Sequence, residues 1–480
     1  MAFAGLKKGG EFNAITAEIV LSTGRVIKLK TASILTLTIF ENINEPAMSG
    51  QLIFQDAFNL GSVGPLIGQE YLKIKITTPS VDDEDYEIDS TKQAYMITSI
   101  RDRQDIGNGV QAAMLEFVSR EMVINNRQRV RRTLVGSYSE IVEELLAKDL
   151  MCSKKLFVET SADNKKIIST NNTPYSIINQ ATKHAISNNH RDATYYFWET
   201  SRGLNFRTLG NMYNQPQFNI MAYRYTIPGT RRDIGGAPDM DAELKSIKNW
   251  RISGGPDTLV NYRDGAYSSD LIVHNILTKT YKKFKYNYLE SFPSQVHVDG
   301  DESRPLVNPL KLTLDGDNVS SFPSRQYLKP SVGSNIDKSH EPSATVPKSL
   351  LRPNSFSNDN LPKSIQSRNS QKAMIRNGLA ITIDVVGNTL VCAGDKVSVN
   401  IPNTSTYKEG NDTQDSLYNG YFLVTDLRHD FDFETFQHHM SMRVVKDSMT
   451  KKITEPGDNT EPSDERGLRI ARTNANYDNP

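Results

Sequence analysis

The chain has little of what staples, spans or anchors a protein. Among its 480 residues there are two cysteines, Cys152 and Cys392, too few for a disulfide framework and compatible with a reducing compartment. No apolar run approaches the length needed to cross a bilayer, and the opening MAFAGLKKGG lacks the apolar core of a secretion signal. The expectation is a chain made and folded in a cytoplasm, without a membrane span. Net charge is missing as well: 56 basic residues balance 56 acidic ones, so no global field draws in nucleic acid or an anionic membrane. Catalytic signatures are also absent, with no Walker loop, HExxH, GxSxG or metal-type cysteine pairing. Neither an enzyme nor a cofactor or metal site is expected.

What is present is alternation. In YFLVTDLRHDFDFETFQHHMSMRVVKD, from Tyr421 to Asp447, apolar and polar residues alternate with the period of two that sends side chains to opposite faces of a sheet. The layout recurs at Ala94 to Arg103 and Ala112 to Val123. Tyr95, Ile97, Thr98, Ile100 and Arg101 align with Phe422, Val424, Thr425, Leu427 and Arg428. Met114, Val118, Arg120 and Glu121 align with Met440, Val444, Lys446 and Asp447. Each hairpin follows an acidic residue and an alternating strand: Glu70 before Leu72, Ile74 and Ile76, and Asp395 before Val397, Val399 and Ile401. Shared order over that many elements points to an internal duplication, with one small β domain near each end.

Between these ends the pattern changes. RQRVRR, at Arg127 to Arg132, is a short basic run without interleaved aromatics, a solvated or subunit-contact face rather than a nucleic-acid site. Ser137 and Glu140 have capping-box spacing ahead of Tyr138, Ile141, Val142, Leu145 and Leu146, one face of a helix. Thr173-Pro174 starts a second helix carrying Ile177, Ile178, Ala181 and Ala185. Strands at 195–199 and 204–209 flank a turn at Ser201-Arg202-Gly203. Residues 127–236 therefore read as an inserted α/β module, and 237–292 as a β-rich segment in which Tyr281, Phe284, Tyr286 and Tyr288 suit packing better than base stacking. Serine, proline and asparagine dominate 293–370, which reads as a flexible insertion; a short helix at Gln371 to Arg376 then leads into the second β domain, 371–448, and a disordered tail, 449–480.

The run ENINEP…SGQLIFQDAFNL…PLIGQEYLKIKI, with ETSRGLNFRTL, NYRDGAYSS and YFLVTDLRHDF…HHMSMRVVKD, resembles the central baseplate hub proteins of contractile-tailed bacteriophages over most of 11–290 and 371–448. The resemblance implies a homotrimer whose subunits each give two β-barrel tube domains, 1–126 and 371–448, to a pseudo-sixfold ring. The fold class is then α+β, mainly β: two related β-barrel-like tube domains, an inserted α/β module and extra β segments. Such a ring seats the tail tube or a tube-initiator protein on one side and a central spike or tail lysozyme on the other. Baseplate wedge proteins lie outside it, the tape measure occupies its channel, and the virion tail baseplate is its location.

Two other functions stay open on sequence: a tail-tip peptidoglycan or glycan hydrolase, which needs two carboxylates across a sugar cleft, and a carbohydrate-binding adhesin with the Tyr281 to Tyr288 aromatics as its platform. For the hub, the expected contact residues sit in the hairpins and adjoining loops, because barrel-end loops are what stacked rings present to one another. They are Glu41, Asn42, Asp56, Glu70, Arg101, Arg120, Asp395, Arg428, His429 and Arg443. Glu41, Asp56 and Glu70 are expected to cap turns, and His438 and His439, adjacent on a strand, to point to opposite faces and so share no metal ion.

Overall fold

The computed structural model describes residues 10–56, 66–78, 87–107, 110–162, 164–190, 192–216, 223–225, 245–275, 279–300, 303–306, 318–331, 361–402 and 417–449. It is mainly β. The first eight strands are β1 (Asn13–Val20), β2 (Val26–Lys28), β3 (Ile34–Asn42), β4 (Ser49–Asp56), β5 (Tyr71–Thr77), β6 (Ile88–Asp89), β7 (Tyr95–Gly107) and β8 (Val110–Val118). Seven of them form a layer in the order β2-β1-β5-β7-β8-β4-β3, and β6 pairs with β5 beside it. Alternation decides the inward face: Leu72, Ile74 and Ile76 of β5 join Ile19, Leu37, Leu52, Phe54, Leu115 and Phe117 in one core. Gly50 has no side chain because a Cβ there would collide with the Phe117 ring and the Thr38 carbonyl, so the aromatic ring crosses directly over β4.

The inserted module contributes β9 (Thr133–Gly136), β10 (Leu156–Val158), β11 (Lys165–Ile168), β12 (Tyr195–Thr200) and β13 (Gly203–Thr208), with helices Arg120–Arg127, Tyr138–Glu144, Pro174–His184 and Leu209–Asn214. Its caps form as their spacing predicts. Glu140 N–H donates to Ser137 Oγ at 3.2 Å, Ser137 N–H returns to the Glu140 carboxylate at 2.8 Å, and Ser176 N–H donates to Thr173 Oγ1 at 3.3 Å. Ile141, Val142, Leu145 and Leu146 meet Ile177, Ile178 and Ala181 over the β12–β13 hairpin.

The rest of the chain supplies β14 (Tyr223–Tyr225), β15 (Ser246–Gly254), β16 (Ser268–Asn275), β17 (Thr280–Asn287), β18 (Arg304–Pro305), β19 (Arg325–Ser331), β20 (Leu379–Val386), β21 (Lys396–Asn400), β22 (Gly420–Asp432), β23 (Gln437–Lys446) and β24 (Ser448–Met449). Six of these close on themselves in the order β22-β21-β14-β15-β20-β23, with β23 pairing back to β22. Closure removes the open edges that a sheet otherwise carries. Ile381, Ile383, Val397, Phe422, Val424, Met442 and Val444 fill this second barrel. The two layers are one hydrogen-bonded sheet of 14 strands, because β22 also pairs with β3.

Two expectations change. Within 293–370, β19 lies parallel to β16 in register from Ser269↔Arg325 to Asn275↔Ser331. The short helix expected at Gln371 to Arg376 instead runs Leu361–Asn377, with Gln366 donating to the Ser269 carbonyl at 2.8 Å. Neither signal is local: a polar, proline-containing strand is held by a partner already built into the fold. Residues 307–317, 332–360 and 450–480, and the glycine-rich loop at 57–65, lie outside the described residues.

Candidate interface surfaces

The two hairpins match in hydrogen bonding as well as pattern. The β7–β8 ladder shifts register between Ile97 and Ser99, and the β22–β23 ladder between Val424 and Asp426, so a bulge falls on the aligned threonines Thr98 and Thr425. Ile97 N–H donates to the Glu70 carbonyl and Val424 N–H to the Asp395 carbonyl, each at 2.9 Å. Each acidic side chain also caps the amide three residues before it, Glu70 that of Ile67 at 2.8 Å and Asp395 that of Cys392 at 2.9 Å. The ladders correct the alignment of the second arm by one residue. Ile97 lies opposite Phe117 as Val424 lies opposite Val444, and Arg101 opposite Met114 as Arg428 lies opposite Ser441. Phe117 is therefore the counterpart of Val444, and Met114 of Ser441. A slip of one would have exchanged core and surface faces.

The matched strands differ in their far halves. β22 is shared: its first half pairs with β21, and Asp426 to Asp432 pair with β3 from Asn42 back to Thr36. Phe431 and Phe433 leave the second barrel's strand and enter the first barrel's core, where the Phe12 ring meets both at 5.1 Å. On β7 the corresponding stretch, Ser99 to Asp105, pairs with β8 alone among the described strands, and Arg101 to Asp105 are exposed. The counterpart of β3 in the second barrel is β15. Gly50 lies opposite Ile39, and its equivalent Ile381 lies opposite Ile252. Beyond Ile247, β15 has no second partner among the described strands, and Ile252 is 52% exposed where Ile39 is fully buried.

Away from the cores, the joined sheet presents a polar face on which several charges pair with one another. Asn42 donates to Asp426 at 2.7 Å, Thr38 to Asp430 at 2.8 Å and Ser441 to Asp384 at 2.7 Å. Arg428 pairs with Asp430 at 2.8 Å and lies over the Phe40 ring; Arg443 reaches Asp426 at 3.4 Å; Arg101 reaches Glu116 at 3.1 Å. A concavity of about 420 Å³ where β3, β22, β23 and β15 converge gathers Asn42, Arg428 and Arg443 with Asp426 and Arg251, the last two not foreseen from sequence.

Of the other expected contact residues, Glu41, Asp56, Glu70, Asp395 and His429 are buried, and Arg120 is half-buried. Glu41 is buried on β3, where it accepts from the Ser201 amide at 2.7 Å and the Ala393 amide at 2.9 Å. Burial pushes its carboxyl up to about 7 against the pull of those amides and of Arg202. It therefore caps two turns that are distant in sequence, and in doing so ties the tip of the β12–β13 hairpin to both barrels. Arg202, at that tip, forks onto Asp395 at 3.0 and 2.7 Å, and Trp198 Nε1 donates to the Ala393 carbonyl at 2.9 Å. Glu70 caps its own loop as expected, Asp56 is buried at the end of β4, and Arg120 donates to the Met151 carbonyl at 3.2 Å. Deeper in the module Lys154 joins the buried carboxylates Glu121 and Glu199.

His429 is buried too. Its Nδ1 lies 3.0 Å from His438 Nε2, and Phe431 stacks on the His438 ring at 4.0 Å. Burial holds the His429 imidazole down at about 4, and burial together with His429 depresses His438 further, so both rings are neutral at neutral pH. His438 and His439 do point to opposite faces, one buried and one exposed. Among the described residues no cluster of three or more His, Cys, Asp or Glu could hold a metal ion, and no helix is long and apolar enough to cross a membrane.

The sequence matches no protein-family model and no curated protein. Solved structures similar to this one include a tail protein from Neisseria meningitidis MC58, with 12% identity over 91% of this chain and 97% of that one, at a TM-score of 0.49. Another is the 43 kDa tail protein of prophage MuSo2 from Shewanella oneidensis, with 8% identity over 90% and 99%, at 0.48. A third is the prophage tail protein gp18 from Listeria monocytogenes EGD-e, with 9% identity over 96% and 99%, at 0.41. At that identity and superposition the likeness by itself carries no functional argument; the chain is similar to phage tail proteins along nearly its whole length.

Proposed function

We propose that the chain is a structural, non-enzymatic subunit of a phage tail baseplate. Three copies form a hub ring that adapts a sixfold tail tube, or its initiator, to a threefold spike or tail lysozyme. Wedge proteins surround this ring in the virion, and the tape measure passes through its channel. The observation that supports it is the contact between the two barrels. Asp426 to Asp432 of β22 lie against β3; the counterpart of that β22 segment, Ser99 to Asp105, and the counterpart of β3, β15 from Lys248 onward, each have an edge with no partner among the described strands. A head-to-tail contact that repeats a fixed rotation closes into a ring, and exposed edges of this kind are otherwise a hazard that proteins cover. The hub resemblance gives the count: three chains for six barrels. The polar face of the sheet, with several of its charges paired internally, suits a channel wall.

Light scattering should give about 160 kDa, three times 53.9 kDa. Arg428 faces Phe40 within the chain, so an oxidised Arg101→Cys/Ser253→Cys double variant should run as a covalently closed trimer. A wild-type mass that stays at 53.9 kDa at high concentration, or a double variant that forms no bond between chains, removes the ring.

A further inference from the structure

The Arg120–Arg127 helix ties one face into the inserted module and leaves another on view. Glu121 pairs with Lys154, and Asn125 accepts from the Tyr175 amide at 2.8 Å. Arg120, Val123, Ile124 and Arg127 follow one another at the i, i+3, i+4, i+7 spacing of a second face, and they line a groove of about 410 Å³ against β5 and β7. Across it stand Tyr71 and Lys73 of β5, Lys92 just ahead of β7, and Met96. Four cations thus surround one concavity, and no carboxylate stands among its described lining residues. Arg120 donates to the Met151 carbonyl, while Lys73, Lys92 and Arg127 have no ion pair among the described residues. Carboxylates in the neighbourhood are engaged: Glu18, opposite Lys73 in the β1–β5 register, reaches Lys28 at 3.6 Å, and Asp89 reaches Lys75 at 3.7 Å. Like charges held around a concavity raise a potential that draws in an anion. The floor between them is apolar. Val123, Met96 and Tyr71 join neither adjoining core, and Tyr71 is 38% exposed.

We propose that this groove is a docking site for an acidic segment of a partner protein, which seats an apolar side chain on Met96 and Val123 between carboxylates held by the four cations. Arg120 and Arg127 lie about 10 Å apart along the helix axis, so about four extended residues span them. Nucleic acid fits less well, because the apolar floor has nothing to offer a sugar–phosphate backbone and Tyr71 is the one aromatic ring among the described lining residues. The site gives a role to Arg120 and to the first arginine of the basic run at 127–132. It uses none of the strand-edge residues of the ring and does not rest on it.

The experiment is fluorescence anisotropy of labelled peptides titrated with the full chain. Acetyl-Glu-Leu-Glu-Glu-Leu-Glu-amide should bind one per chain and lose about tenfold in affinity between 50 and 300 mM NaCl, because exposed charges are screened. A counterpart with glutamine for every glutamate, and another with serine for both leucines, should each bind about tenfold more weakly. A ten-nucleotide oligothymidylate should bind no better than the serine peptide. Lys92→Glu/Arg127→Glu, at two exposed positions, should abolish binding with the thermal unfolding midpoint unchanged, whereas Lys285→Glu, exposed on β17, should leave binding intact. Changing Asp82, Asp83, Glu84 and Asp85 to their amides should leave the affinity unaltered; a gain of about tenfold would assign the groove to the chain's own carboxylates. That gain, absence of binding, equal binding of either counterpart or of the oligonucleotide, or an unaltered Lys92/Arg127 double variant would overturn the proposal. None of these outcomes bears on the ring.

Discussion

The far half of β22 and the far half of β7 begin from the same pattern, the same bulge and the same supporting amide, yet one is interior and the other is bare. β22 continues Phe431 and Phe433 into a foreign core, whereas β7 continues Asp102, Arg103, Gln104 and Asp105 into solvent. Asp102 adopts φ of 51°, a left-handed conformation that asparagine and aspartate tolerate better than most residues. The two strands start from the same pattern; the side chains after the aligned arginines decide which one joins two barrels within a chain. If the bare edges are where chains meet, covalent continuity and assembly use the same kind of contact.

The sharpest way to break this comparison is to empty the shared core. Phe431→Ala should cost about 3 to 5 kcal/mol and lower the stability of both barrels together, read as a single shifted denaturant transition. Gln104→Ala, in the corresponding stretch of β7, should stay within about 0.5 kcal/mol. Two separate transitions in the Phe431 variant would mean that the barrels fold independently.

Arg202→Met tests the second asymmetry. Asp395 has both a backbone cap and an arginine fork, while Glu70 has backbone caps. Because Arg202 is only 24% exposed, its loss should cost about 2 kcal/mol, measured by urea unfolding, and Asp395→Asn should add little once the arginine is gone.

A third difference is titratable. The second hairpin buries His429 against His438, and the counterpart of His429 on β7 is the exposed Asp102. A histidine held below its ordinary 6.5 in the fold takes up its proton more readily when unfolded, so its contribution is fully present above 6.5 and is lost as pH falls towards 4. For His429 alone that is about 2 kcal/mol between pH 7.5 and 5. Denaturation midpoints should drop over this range, and His429→Gln should flatten the dependence. A wild-type slope no steeper than the variant's would show that the pair titrates normally.

The smallest expected effect on the free chain is the most informative for assembly. Ile252→Asp, at 52% exposure, should change unfolding by less than about 0.5 kcal/mol and yet hold the chain at monomer mass. Its counterpart Ile39→Asp, fully buried, should prevent folding.

Sequence alone settled what depends on neighbours along the chain. Period-two alternation placed both hairpins and the strands before them, Ser137 with Glu140 and Thr173 with Pro174 fixed two helix starts, and Ser201-Arg202-Gly203 marked a turn. These signals are local because strand faces, caps and turns are set by a few consecutive torsions and side chains. Of the expected contact residues, Asn42, Arg428 and Arg443 meet on one outward face, whereas Glu41, Asp395 and His429 are structural ties, and the residues that fix them stand far off: Ser201 is 160 positions from Glu41, and Arg202 is 193 from Asp395. Only His438, nine positions from His429, is near in sequence. Only the tertiary structure decided those pairings, the recruitment of β19, the length of the Leu361–Asn377 helix and the one-residue register of the second arm. Each depends on which surface the chain happens to fold back upon, and a strand's own alternation reads the same whether its far half meets another barrel or water.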